Sequence, residues 1–253
     1  GVPTLNRNDV HAHEALLPPL PEQQRIVSVL EIWDKAIEKL ELKIKLKKNV
    51  KKGLMQQLLT GKKRLPGFSG EWVEVKLGDV CKIKTGKKDN KDKIENGQYP
   101  FFVRSPNIER INTFAFDGEA ILVPGEGNIG SIFHYIDGKF DYHQRVYKIS
   151  DFNDKSFGKF IYYYLFMNFG RHALQSSVKA TVDSLRLPMF TEFAITIPKE
   201  DEQRAIAVIF TSADQEIELL QSKLQKLKDQ KTYLLNNLIT GRIRIPETMS
   251  ISS

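Results

Sequence analysis

Leu17-Pro18-Pro19-Leu20-Pro21-Glu22-Gln23-Gln24-Arg25-Ile26 and Ile197-Pro198-Lys199-Glu200-Asp201-Glu202-Gln203-Arg204-Ala205-Ile206 are one phrase written twice, 180 residues apart. The match runs without a gap over residues 17–66 and 197–246. Asp34 falls on Asp214, Ile37-Glu38 on Ile217-Glu218, Leu54 on Leu234 and Leu58 on Leu238. Thr60-Gly61 falls on Thr240-Gly241, Arg64 on Arg244 and Pro66 on Pro246. A period this long excludes a solenoid, so one large unit is present once in full and once as a remnant.

Inside each copy the apolar positions alternate by four and three. In the first they are Ile26, Leu30, Trp33, Ile37, Leu40 and Ile44; in the second, Ile206, Phe210, Ala213, Ile217, Leu220, Leu224 and Leu227. Such a seam, kept over several heptads, faces one partner helix and predicts a coiled coil. Each helix is expected to run from its Glu-Gln pair to a Thr-Gly stop, where Gly61 and Gly241 supply a left-handed cap. That is roughly 38 residues, or ~57 Å at ~1.5 Å per residue. The simplest arrangement pairs the two helices within the chain, antiparallel. Lys51 and Lys231 share one seam position. Either they weaken the pair while fixing its register, or they snorkel at a frayed end.

The chain has 253 residues, 41% of them hydrophobic, with no apolar run of about 18 and no signal-peptide pattern. These features argue against a membrane-spanning or secreted protein. A single cysteine, Cys81, excludes a disulfide framework and fits a reducing cytoplasm. The net charge of +7 is concentrated: Lys35–Arg64 holds eleven basic and two acidic residues, so this segment is +9 and the remainder −2. Two readings fit such a run, the solvated face of a long helix or a surface for phosphate or a partner.

The expected organisation is a tail of a preceding recognition domain at 1–20, a first helix at 21–61, a recognition domain at 67–200, a second helix at 201–241 and a tail at 242–253. The middle domain reads as α+β. Strands are expected near 72–75, 80–84, 101–104, 120–123, 131–136, 146–149 and 194–197, with helices at 156–167 and 171–175. Its loops gather basic and hydrogen-bonding side chains: Lys84, Thr85, Lys87 and Lys88; Arg104 to Asn107; Gln144 and Arg145 after His143; and Lys179, Thr181 and Ser184. These residue types read base edges and hold phosphates, although loops are polar everywhere. Gly125-Glu126-Gly127-Asn128-Ile129-Gly130 matches G-x-G-x-x-G, but β-branched and aromatic residues follow it where a helix should start. A tight hairpin turn is the better reading, with Asn128 available to a ligand. The five histidines show no metal-ligand spacing beyond the His11/His13 pair, and no nucleophile elbow or phosphate-binding loop occurs.

A strand-rich domain ending in Ile197-Pro198 with Glu202-Gln203, then a long helix, then a Leu-x-Thr-Gly stop resembles the DNA-specificity subunit of type I restriction-modification systems. So do Trp72 with Val75-Lys76-Leu77-Gly78-Asp79-Val80, and Ala120-Ile121-Leu122-Val123-Pro124 running to Gly130. The resemblance covers essentially the whole chain. It implies a non-catalytic subunit whose two recognition domains, held apart by antiparallel helices, each read half of a split double-stranded DNA site. The helices would dock methylation subunits that bind S-adenosylmethionine and methylate adenine, beside a restriction subunit. No cofactor or metal is expected on this chain itself. The helices would act as a ruler between half-sites, on the order of one to two turns of B-DNA apart. With one complete recognition domain, the chain is expected to be the C-terminal part of a longer subunit or a half-subunit that forms a homodimer and reads a palindromic site. DNA contact is expected from Lys84, Thr85, Lys87, Lys88, Arg104, Asn107, Asn128, Gln144, Arg145, Lys179, Thr181 and Ser184, with base reading favoured for Arg104, Asn107, Gln144 and Arg145. A coiled-coil interaction scaffold without sequence-specific DNA binding is the alternative, and a metal-dependent nuclease a third.

Overall fold

A computed structural model describes residues 17–177 and 184–248, together with Asn6, Asn8, His11 and Ala12. Its contacts divide the chain into two units. One runs to Asn49 and resumes at Gln215; the other is Val50–Asp214. The first unit is built from most of α1 (Leu20–Leu58) and the latter part of the last helix, α5 (Glu200–Ile239). Ile37, Leu40, Ile44 and Ile217 are buried in it, while Leu30, Trp33, Leu220, Leu224 and Leu227 are half-buried, as in a two-helix seam with open flanks.

Ion pairs fix the direction of that seam. Lys47 meets Glu216 at 2.7 Å, Glu41 meets Lys228 at 2.6 Å, Asp34 pairs with Lys231, and Glu22 pairs with Arg244. Numbers rise on one helix as they fall on the other, so the pair is antiparallel. Ile26 closes the end of the unit with Leu238 and Ile245.

The second unit contains the α+β domain. β1 (Val73–Lys76) pairs with β8 (Ala194–Ile197) in a two-stranded sheet. A one-turn helix, α2 (Leu77–Val80), leads into β2 (Lys82–Thr85), and there follow β3 (Tyr99–Phe102), β4 (Ile108–Ile111), β5 (Phe116–Pro124), β6 (His134–Tyr142) and β7 (Val146–Ser150). These form a six-stranded sheet in the order β2-β7-β5-β6-β3-β4, antiparallel except where β3 runs beside β6. In the continuous apolar run of β5, Ile121 and Val123 face the main core while Ala120 and Leu122 face a smaller one with Phe102, Phe140, Tyr142 and Val146. Burial on both faces is why this strand shows no polar alternation. Gly118 and Gly138 sit opposite each other in the β5–β6 ribbon, at φ +138° and +135°. A side chain would resist that backbone, which glycine adopts freely.

Helix α3 (Gly158–Ser177) covers the sheet with Phe160, Ile161, Leu165 and Phe169, and α4 (Leu187–Thr191) adds Phe190, stacked on Phe169 at 4.6 Å. The end of α1 contributes Met55 and Leu58 to this core, and the start of α5 contributes Ile206 and Phe210. Ile206 and Phe210, assigned from spacing to the helix seam, are therefore core residues of the globular domain. Phe210 meets the Tyr163 ring edge-on at 5.1 Å. Lys51 neither frays nor snorkels to water: it pairs with Asp214, as Lys231 pairs with Asp34.

Other expectations need correction. The two helices read at 156–167 and 171–175 are one, because Gly170 is required for packing: a Cβ there would lie 2.6 Å from the Gly130 carbonyl oxygen. The turn after β5 is a nine-residue connection, and β6 begins at His134, later than the expected strand. β4 and α4 were not foreseen, since Ile-Glu-Arg-Ile and Leu-Pro-Met-Phe are too short to show a period. Among the described residues no helix is long and apolar enough to cross a membrane.

The repeated Glu-Gln phrase has unequal surroundings. The Gln203 amide is fully buried; it donates to the carbonyls of Lys155 (2.7 Å) and Pro198 (2.8 Å) and accepts from the Phe157 N–H (2.8 Å). Gln23, half-buried, donates to Pro18 O at 2.8 Å. Replacing Gln203 with Leu leaves buried backbone groups unpaired and should cost at least about 2 kcal/mol in urea unfolding, against under about 1 kcal/mol for Gln23→Leu. Equal losses would contradict this account.

Candidate nucleic-acid interface

Backbone hydrogen bonds gather the polar loops of the second unit. The His143 N–H donates to Phe102 O (2.9 Å), Gln144 N–H to Lys88 O (2.8 Å), Gly125 N–H to Arg145 O (2.8 Å) and Leu185 N–H to Gly125 O (2.7 Å). Isolated β-bridges join Lys88 to His143 and Glu126 to Ser184. The segment after β2, the end of β3, the β5–β6 connection, the β6–β7 turn and the stretch from Ser184 thus meet. The Tyr147 hydroxyl, donating to Leu185 O at 3.1 Å, pins that stretch to β7.

An acid stands at the centre. Glu126 holds Arg104 through one carboxylate oxygen (2.9 Å) and Arg145 through the other (3.2 Å). Gln144 donates to Asp89 Oδ2 at 2.9 Å, and Asp89 itself opens a short 3-10 turn at Asn90–Asp92. Glu126 borders two open cavities. One, of about 440 Å³, takes Arg104, Asn90, Lys93 and Ser105; the other, of about 390 Å³, takes Thr85, Gln144, Arg145, Ser184 and Arg186. The His134 Nε2 lies 3.3 Å from Ser105 O and steadies the Arg104 loop.

Of the residues expected to contact DNA, the structure brings together Thr85, Lys88, Arg104, Gln144, Arg145 and Ser184. Lys84 lies elsewhere: successive strand residues alternate faces, so it points away from Thr85, and it sits opposite Lys148 of β7. Lys87, Asn107 and Asn128 are exposed. Asn107 is held in a turn by its N–H to Ser105 Oγ (3.2 Å), and Asn128 accepts from Ser131 Oγ (2.6 Å). Lys179 and Thr181 lie outside the described residues. Glu126, Asp89 and Arg186 were not among the candidates; an acid between two glycines, amid basic loops, is the signal that marks Glu126.

The chemistry available here is recognition. Arginine forks and a glutamine amide present donors in fixed geometry, suited to guanine and adenine edges and to phosphate oxygens. Among the described residues no group of three or more His, Cys, Asp or Glu could hold a metal ion. The buried Cys81 thiol donates to Leu77 O, and burial pushes its pKa up to about 12, which keeps it from acting as a thiolate.

His143 gives the cluster a pH dependence. Its Nδ1 accepts the Arg145 N–H at 2.9 Å, and burial, followed by the Arg104 charge, pulls its pKa below the ordinary imidazole value, against Asp89 and Glu126. The unfolded chain therefore takes up this proton first. The stability is fully present above about pH 6.5 and drains as pH falls from there towards the lowered folded value. Between about pH 7.5 and 5.5 the wild-type melting temperature should fall further than that of His143→Gln; parallel curves would refute the assignment.

The family model for the type I restriction modification DNA specificity domain matches residues 69–229. The specificity subunit of the type I restriction enzyme EcoDI from Escherichia coli is 31% identical over 157 residues, 62% of this chain and 34% of that protein. The MjaVIII specificity subunit from Methanocaldococcus jannaschii is 25% identical across 97% of this chain and 65% of its own length. Among solved structures, the S subunit of a type I restriction-modification system from M. genitalium superposes with a TM-score of 0.67 at 16% identity, covering 91% of this chain and 62% of that one. A chain from a study of complex assembly and conformational transition of the type I R-M system gives 0.58 at 21%, covering 95% and 65%. Both share the fold. The chain spans less than two thirds of the length of each of these relatives.

Proposed function

The chain belongs to the type I restriction-modification DNA specificity family, and from that membership we propose that its Val50–Asp214 unit reads one half of a split double-stranded DNA site and directs adenine methylation and restriction by partner subunits to it. The observation that carries this reading is the convergence of Thr85, Arg104, Gln144, Arg145 and Ser184 on two open cavities bordered by Glu126. Methyl transfer, with S-adenosylmethionine, and cleavage belong to the partners; this chain supplies the address.

Affinity would come largely from basic side chains on phosphates, and selectivity from Arg104, Gln144 and Arg145 on base edges. The helices, at 39 and 40 residues, are each about 59 Å long at ~1.5 Å per residue and serve as the spacer and as the seat of the methylation subunits. Lys47, Lys51 and Arg64 pair with Glu216, Asp214 and Glu202, so part of the basic run is spent within the chain. Lys35, Lys39, Lys43 and Lys45 stay exposed for a polyanion or an acidic partner surface.

The test is to combine the chain with the methylation subunit of its own system, S-adenosylmethionine and random-sequence DNA, and to map methylated adenines. A split motif is expected, palindromic where two copies of the chain supply both halves. A stable complex that methylates no defined motif would overturn the reading. Arg145→Ala should weaken binding to the recovered motif by about 1–3 kcal/mol and relax one base pair. Equal losses on all duplexes would reduce Arg145 to a phosphate contact.

A further inference from the structure

We propose that Glu126 is the positioning residue that decides which base pairs Arg104 and Arg145 read, by holding both guanidinium groups on one fixed carboxylate. The inference rests on the DNA-reading function proposed above and names the device that gives that function its selectivity.

The two arginines come from different loops, 22 and 19 residues from Glu126 in sequence, and both guanidinium groups meet its carboxylate. Glu126, in contrast, has an anchored backbone. Its neighbour Gly125 donates to Arg145 O and accepts from the Leu185 N–H, and Glu126 itself bridges Ser184. Its side chain is 26% exposed, against 42% for Arg104 and 61% for Arg145, so the carboxylate forms the inner wall and the arginines extend outward from it. The carboxylate also separates the cavities, with Arg104 lining one and Arg145 the other.

Three consequences follow from the chemistry. Nη1 of each arginine meets Glu126, at 2.9 and 3.2 Å, and a guanidinium has five N–H donors, so each fork keeps N–H groups for an outside acceptor. A guanidinium fixed in direction loses less freedom on meeting a guanine edge than one swinging on a free side chain. The carboxylate also lowers the local charge from +2 to +1 and repels phosphate, which disfavours loose backbone binding relative to aligned base contact. Glu126 thereby trades non-specific affinity for selectivity.

The experiment uses the complex of this chain with its methylation subunit and a pool of duplexes carrying a randomised segment, with bound duplexes sequenced. Wild type, Arg104→Lys, Arg145→Lys, Glu126→Gln and Glu126→Asp are compared. Each lysine variant keeps its charge and loses the fork, so each should flatten the preference at one position. Glu126→Gln should flatten those same two positions, by about tenfold in base preference at each, while binding to an unrelated duplex tightens and its salt slope steepens. Glu126→Asp, which keeps the charge, should retain more of the motif than Glu126→Gln, and it carries the comparison if the glutamine variant unfolds. A Glu126→Gln motif identical to wild type, with uniformly tighter binding to every duplex, would overturn the inference while leaving the DNA-reading function intact. A wild-type complex that enriches no motif would overturn the function itself, and the inference with it.

Discussion

The Gln203 side chain is where three parts of the domain are tied together. Its amide has two N–H donors and one carbonyl, all three are engaged, and they reach the start of α3 through Lys155 and Phe157 and the end of β8 through Pro198. Beside it the nearly inaccessible Glu202 carboxylate receives a two-pronged contact from Arg64, just past the end of α1, at 2.6 Å on both oxygens. Buried polar groups stabilise a fold only when every partner is present. The Glu-Gln phrase therefore specifies a geometry that an apolar pair could not: it sets where α5 leaves the sheet, where α3 enters the core, and where the loop after α1 is clasped. The loops carrying Arg104, Glu126 and Arg145 take their positions from that frame, because α3 and α4 form the floor against which β5 and β7 pack.

Much of the architecture could be read from sequence because long elements repeat their signal. Four-and-three spacing from Ile26 to Ile44 marks a helix, and the second copy repeats it from Ile206 to Leu227. The failures occurred where the deciding contact is tertiary. Gly170 reads as a helix break until the Gly130 backbone is seen to need that space, and Ile206 and Phe210 obey the seam spacing while being claimed by the domain core, because α5 meets Tyr163 there before it meets α1 further along. β4 is four residues long, below the length at which alternation can be told from chance.

The interface was half legible for a related reason. Basic and amide side chains cluster locally, so the loops bearing Arg104, Gln144 and Arg145 stood out in the one-dimensional pattern. Their acidic partners stood out less: Glu126 carries only its place between two glycines, and it and Asp89 lie 19 to 55 residues in sequence from the groups they hold. Strand alternation removed Lys84 from the cluster, a distinction that needed the exact register of β2 on β7.

Two of the ion pairs in the helices and their flanks are images of two others under the repeat. Arg64–Glu202 corresponds to Arg244–Glu22, and Lys51–Asp214 to Lys231–Asp34. In each case a residue of one copy meets an acid of the other, so these contacts map onto themselves when the copies are exchanged. The α5 of a second molecule offers α1 the same acids at the same spacing, and these side chains hold nothing that distinguishes self from neighbour. Closure within one chain is then set by the folded Val50–Asp214 unit, whose core holds the end of α1 and the start of α5 together.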